Sequence, residues 1–282
     1  MRLYASVIRL VAQTPTVIPA FGGGQYAHAA FFKILAQFDP QLAASVHEIA
    51  GKGRRKPFTI SPLMGLPGSP AKDRFVPTHQ ACWLRVTLLD ETLFRSFIEY
   101  FRAAQDDCFI RLGDARFLVK EVLTMPGSHP WAGVLDLDDL RSTLEKPPQT
   151  AIAIEFHTPT SFNLGSHIEA LPVPRLVFGS LAVVWANIFG EALVQAVERF
   201  VEGHMRMEVH RLMRHGIRLN NRPQIGVTGR VVYRLLAHED GMMARMVNAL
   251  ADLAFYAGVG RKTTQGMGMA RRVEVGKEGS LA

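Results

Sequence analysis

Cysteine is nearly absent from this chain of 282 residues: only Cys82 and Cys108 occur, far apart and outside any paired spacing. That excludes a disulfide framework and a cysteine zinc site, and it fits a reducing cytosol. Long apolar runs are missing as well. The longest, "LVFGSLAVVWANIFG" from Leu176 to Gly190, has fifteen residues, too few to span a bilayer. It reads as a buried core helix, and no membrane association is expected. The apolar run at the N-terminus contains Arg9, which does not suit a signal peptide, so the expected compartment is the cytoplasm. His204, His210 and His215 lack the i, i+4 spacing of zinc-binding pairs, and they read as solvated or partner-facing. Asp136, Asp138 and Asp139 begin the helix "DLDDLRSTLEK", where acids complement the N-terminal dipole. No metal site and no cofactor is expected.

What is present describes a packed globular protein, with 48% hydrophobic and 20% charged residues. The length allows one large domain or two of ordinary size. Net charge is +7 and the pI is near 9.7, which favours a polyanion such as nucleic acid as partner. The surplus is concentrated. Between Val209 and His238 stand six arginines (Arg211, Arg214, Arg218, Arg222, Arg230 and Arg234) and no acid. Arg230 and Arg234 share a strand face by the two-residue period, and arginine forks suit phosphate oxygens. A solvated strand face is the plainer reading. A second cluster, "KGRRK", places Lys52, Arg54, Arg55 and Lys56 directly after His47.

The pattern along the chain repeats once. "RLYASVIRLVAQ" reads as a strand, "GGGQYAHAAFFKILAQFD" as a helix closed by Asp39-Pro40, and "PQLAASVHE" as a second short helix. Strands "FTISPL" and "CWLRVTLL", a helix from Asp90, and a hairpin turning at Gly113-Asp114 follow. "EKPPQ" marks the expected boundary, dividing the chain into 1–146 and 147–282. The second half then offers a strand "TAIAIEFHTPTSF" and the apolar helix, whose charged continuation is expected to run to about His215. Strand material "GIRLNNRPQIGVTGRVVYRLL", a helix "DGMMARMVNALADLAFYA" and a last strand "MGMARRVEV" complete it. Each half reads roughly β-α-β-β-α-β, so the expected class is α+β with two tandem ferredoxin-like (RRM-like) domains.

"GVGRKTTQGMGMARRV", Gly258 to Val273, fits neither familiar glycine motif. A dinucleotide fingerprint would need glycine at Thr263, and a P-loop would need Lys262 directly after Gly260. What remains is a loop whose backbone can approach something closely; Arg261 and Lys262 suggest that this is anionic. An ordinary hairpin loop is the alternative.

Gly258-Val-Gly260, five residues and then Gly266-Met-Gly268 resembles the signature of the CRISPR-associated repeat-processing endoribonucleases (Cas family six, of the RAMP superfamily). "DPQLAASVHE" with "KPFTISPL", and "FHTPTSFN", are similar to other segments of that family. The resemblance covers nearly the whole chain. It implies metal-independent cleavage of precursor CRISPR RNA within its repeats. The ribose 2′-hydroxyl attacks, leaving 2′,3′-cyclic phosphate and 5′-hydroxyl ends. It implies CRISPR repeat RNA as partner, with CRISPR effector complex subunits as further candidates, and it leaves monomer and homodimer open. The family's histidine falls on His47 and its lysine on Lys56. A tyrosine of some members falls on Phe32, a departure, since a phenyl ring cannot move a proton.

The reaction needs a base, an acid and a cation beside the phosphorane. His47 suits a proton task, and Lys56, with Lys52, Arg54 or Arg55, suits the charge. His28, one turn before Phe32 on the same helix face, is the candidate to replace the phenol; otherwise it is a packing histidine. Gly258, Gly260, Gly266 and Gly268 are expected to turn backbone N–H groups, with Arg261 and Lys262, towards RNA phosphates, facing the helix that bears His47. Arg218, Arg222, Arg230 and Arg234 would follow the RNA backbone. A non-catalytic RAMP subunit that holds CRISPR RNA as a scaffold is the rival reading.

Overall fold

The computed structural model of the protein describes residues 1–49, 54–104, 108–219, 222–236 and 241–275, the side chains of 209 and 210 excepted. Lys52 therefore lies outside the described residues.

The chain forms two compact units. Unit 1 comprises Met1–Leu137 together with Gly216–Gln224 and Lys262–Met267; unit 2 holds Asp138–His215, Ile225–Arg261 and Gly268–Ala282. The division falls a few residues before "EKPPQ", and two short segments of the second half count with the first unit. A small cluster of Phe21, Ile217, Leu219 and Met267, all buried, ties those segments in.

In unit 1, β1 (Arg2–Ala12) is followed by the short β2 (Thr16–Ile18), α1 (Gly24–Phe38) and α2 (Pro40–Glu48). Then come β3 (Phe58–Ile60), β4 (Arg74–Val76), β5 (Ala81–Leu88), α3 (Glu91–Ala103), the hairpin β6 (Phe109–Leu112) and β7 (Ala115–Leu123), and β8 (Gly133–Asp136). The sheet order is β3-β5-β1-β7-β6, with β8 also on β1. β1 pairs antiparallel with both β5 and β7. Taking β1, β3, β5 and β7 as the four strands of the β-α-β-β-α-β motif, the first is interior, as the ferredoxin-like fold requires. Phe31, Phe58, Phe97 and Phe117, all fully buried, anchor the core between sheet and helices.

Asp39 serves two helices. It ends α1, its amide bonding the Leu35 carbonyl at 2.9 Å. Its carboxylate also caps α2, accepting the Leu42 N–H at 2.8 Å ahead of Pro40 in the first turn. The chain thus turns at one residue, and His47 comes to lie in the last turn of α2.

Unit 2 begins within α4 (Leu137–Ser142) and continues with β9 (Ala151–Thr160), the small ribbon β10 (Phe162–Leu164) and β11 (His167–Glu169), α5 (Pro174–Phe189) and α6 (Val194–His204). β12 (Met205–Leu219), β13 (Arg222–Leu235), α7 (Gly241–Ala257) and β14 (Ala270–Val273) complete the chain. The order β12-β13-β9-β14 repeats the topology of the first sheet. The protein is α+β, with tandem ferredoxin-like domains. α5 buries Phe178, Leu181, Ala182 and Trp185 completely, which accounts for its nearly uniform apolar sequence.

One expected element is corrected. The charged continuation of the apolar helix does not reach His215: α6 ends at His204 and residues 205–219 are strand. "MRMEVHRLMRHGIRL" carries apolar residues at both helical and alternating spacings, and pairing with β13 decides between them. The final strand is also shorter than expected, Ala270–Val273. Among the described residues no helix is long and apolar enough to cross a membrane.

Candidate active site

α1, α2 and the segment leading into β3 bring His28, His47 and Lys56 together around one ring, that of Phe32. Its centroid lies 5.0 Å from the His28 ring and 5.1 Å from the His47 ring, both edge-on. The Lys56 ammonium stands 5.4 Å over the same ring, a cation–π distance. Phe32 and His28 come from one face of α1, four residues apart. His47 is exposed, whereas His28, Phe32 and Lys56 are half-buried.

Lys56 also caps α2. Its Nζ donates to the Val46 carbonyl at 2.9 Å and the His47 carbonyl at 2.5 Å, satisfying acceptors that the helix end leaves open. The lysine is therefore both a charge at the site and the clamp on the backbone of His47. Burial lowers its pKa.

His28 is held differently. Its Nδ1 lies 2.9 Å from the Thr264 carbonyl oxygen. A carbonyl only accepts, so Nδ1 carries the proton and Nε2 presents a lone pair when the ring is neutral. Burial lowers the His28 pKa, and the charges of Lys56 and His47 lower it further against the Thr264 bond, which raises it. The neutral, base-competent form is thus favoured.

The basic residues divide into two groups. Arg54 is exposed and Arg55 half-buried, its pKa lowered by burial. Arg218, near the end of β12, and Arg222, at the start of β13, are exposed. Arg230 and Arg234 are partnered within unit 2. Arg230 donates to the Glu274 carbonyl, and Arg234 pairs with Glu208 at 2.8 Å, an acid just outside the acid-free stretch. These two positions have protein partners that sequence spacing did not reveal.

The expected use of the glycine loop needs correction. The amides of Gly258 and Val259 donate to the Ala254 and Gly268 carbonyls at 3.0 and 2.8 Å. Gly260 donates to the Ser180 hydroxyl at 3.2 Å, Arg261 to the Ser161 carbonyl at 2.9 Å and Gly268 to the Pro159 carbonyl at 3.1 Å. Those N–H groups are committed inside unit 2, so they are not turned to a phosphate. Lys262 reaches the Gln265 side chain at 3.2 Å, and burial lowers the Arg261 pKa. Within unit 1, the turn Thr263–Gln265 and Gly266 pack on α1 and β3. The helix they meet is the one that bears His28. Sequence reasoning missed Gly24 and Thr264; the glycine run Gly22–Gly24 at the start of α1 was the available signal.

The family described as CRISPR-associated endoribonuclease Cas6 matches residues 154–270, and the CRISPR Cas6 N-terminal domain matches residues 3–141. A Thermus thermophilus Cas6 (TTHB231), solved as a product complex, is 31% identical, with a TM-score of 0.80 over 96% of this chain and all of that one. The chain belongs to the Cas6 family. A second Cas6 (TTHA0078), also solved as a product complex, is 27% identical over 97% of this chain and all of that one, with a TM-score of 0.74. A Cas6-related protein from Pyrococcus furiosus, at 13% identity, shares the fold over 96% of this chain and 99% of that one, with a TM-score of 0.60. No curated protein sequence shows significant similarity. As a Cas6 family member the protein is an RNA-binding CRISPR-associated endoribonuclease.

Proposed function

We propose that the protein cleaves precursor CRISPR RNA within its repeats, without a metal, using two histidines and a lysine. The observation that carries this reading is the convergence of His28, His47 and Lys56 on the Phe32 ring. His28 Nε2 takes the proton of the ribose 2′-hydroxyl. The 2′-oxygen then bonds to the scissile phosphorus as the P–O5′ bond breaks. His47 gives a proton to the leaving 5′-oxygen, and Lys56 offsets charge on the phosphorane oxygens. The products are a 2′,3′-cyclic phosphate and a 5′-hydroxyl, and proton exchange with water resets both imidazoles. Phe32 adds a wall and no proton.

The test is incubation of purified protein with its cognate repeat RNA in EDTA. Site-specific cleavage with a cyclic phosphate end is expected. A single 2′-deoxy substitution before the scissile phosphate should stop cleavage while binding persists. Dependence on added divalent metal would overturn the mechanism, and tight binding with intact RNA would favour the scaffold reading.

A further inference from the structure

α1 opens on the glycines Gly22–Gly24, although Ser, Thr or Asp at the cap would serve a helix start better and a glycine inside the helix is destabilising relative to alanine. At Gly24 the structure gives a reason. A methyl group there would stand 2.5 Å from the Gln265 carbonyl carbon and 2.8 Å from the Gly266 Cα, closer than a Cβ can approach. In the other direction, a Cβ on Gly266 would meet the Gly24 Cα at 3.1 Å and the Pro62 nitrogen at 3.2 Å. Gly266 also has φ of 94°, a conformation that favours glycine. Two glycines, far apart in sequence, let two backbones touch.

The consequence lies one helical turn on. Gly24 and His28 are four residues apart and share a face of α1. The chain that crosses Gly24 at Gln265–Gly266 therefore meets His28 just before, where the Thr264 carbonyl accepts from Nδ1 at 2.9 Å. The turn is held from within: Gln265 and Met267 both donate to the Lys262 carbonyl, at 2.9 and 3.3 Å. Met267 is buried in the cluster with Phe21, Ile217 and Leu219. Lys56 and His47, the charged groups that act on His28, both oppose its protonation.

We propose that residues 262–267 are a positioning element for His28: the Gly24–Gly266 approach sets the Thr264 carbonyl so that the imidazole keeps its proton on Nδ1 and offers Nε2 to the RNA. This rests on the reading of His28 as the base. A free neutral histidine favours the opposite tautomer, with the proton on Nε2, and so would present no lone pair at that atom. The part of the glycine motif that lies in unit 1 thereby acts through His28, rather than on a phosphate.

The experiment has two arms. In the wild-type protein, nitrogen NMR of the His28 ring, assigned by its loss in His28→Ala, should show the Nδ1–H tautomer at a pH where the ring is neutral. A ring protonated on Nε2 overturns the proposal, and this arm needs no folded variant. In the second arm, Gly24→Ala should lower the single-turnover rate at saturating RNA about 100-fold, the scale of a small misplacement of a reacting group. Its repeat-RNA affinity should stay within about threefold, since no phosphate contact is removed, and its His28 should gain the Nε2–H form. A folded Gly24→Ala protein with wild-type rate and tautomer also overturns it. Wild-type cleavage by His28→Ala would instead remove the two-histidine reading itself, so the two failures are distinguishable.

Discussion

At Phe32 a phenyl ring, which can move no proton, is flanked by His28, His47 and Lys56, and the proposed mechanism divides the chemistry among those three groups. On the proposed mechanism His28 is the base: burial lowers its pKa and favours the neutral ring, while the bond to Thr264, which opposes that shift, keeps the proton of the neutral ring on Nδ1. A base must be unprotonated, so the cleavage rate should rise with pH through a limb lying below 6.5, the ordinary histidine value. His28→Ala should remove that limb and cost about 10²–10⁴ in rate. Single-turnover rates at saturating RNA across about pH 5 to 9 check this; an unchanged profile in the variant would return His28 to a packing role. A different residue makes a pH-dependent contribution to stability in acid. Glu155 is held down to about 2 by His157, with Nδ1 at 3.9 Å, and by Arg271, with Nε at 2.7 Å. Its folded pKa lies below the ordinary 4.5, so this stabilisation is present above that value and is lost as pH falls towards 2. Glu155→Gln should lower Tm at neutral pH, and the gap to wild type should narrow from about pH 5 to about pH 3. A gap independent of pH would mean that the carboxylate's charge contributes nothing.

Two elements carry predictions of their own. Arg218 near the end of β12 and Arg222 at the start of β13 are exposed, and among the described residues no carboxylate pairs with either. Arg230 and Arg234 farther along already bond the Glu274 carbonyl and Glu208. Replacing Arg218 and Arg222 with alanine should therefore weaken RNA binding and flatten its salt dependence by roughly 0.7 in slope per lost phosphate contact. The same change at Arg230 and Arg234 should do less. Binding curves at several salt concentrations separate the pairs, and equal slopes would show that the protein partners do not restrain the second pair. In the α1–α2 corner, Asp39 caps α2 through Leu42. Asp39→Ala should cost about 1 kcal/mol in urea unfolding, and a loss well below that would mean another group takes over the cap.

For the molecule as a whole, the two thiols offer a check on packing. Cys82 and Cys108 are free and buried, and burial pushes the Cys82 thiol up to about 12 and raises Cys108. Both should stay silent to a thiol reagent while the chain is folded and react together on unfolding. Early reaction of either one would locate a region that opens on its own. The net charge of +7 acts at this scale too, supporting RNA affinity in general rather than any one contact.

By itself the sequence determined the main helices and strands of each half apart from β12, because hydrophobic period, proline and cap residues are local signals. The α2 bounds, the turn at Gly113-Asp114 and the ferredoxin-like repeat are all read from neighbours in the chain. His47 and Lys56 were named only through the family resemblance; the structure adds that the Lys56 ammonium bonds the His47 carbonyl, nine residues back in the chain. β12 was not legible, because "MRMEVHRLMRHGIRL" suits a helix and a strand alike and only its pairing chooses. The partners of Arg230 and Arg234, and the meeting of Gly24, His28 and Thr264 across more than two hundred residues, were decided by tertiary structure alone. A glycine's local conformation is visible in a sequence as a need for freedom; which backbone it lets close is a fact of the folded chain.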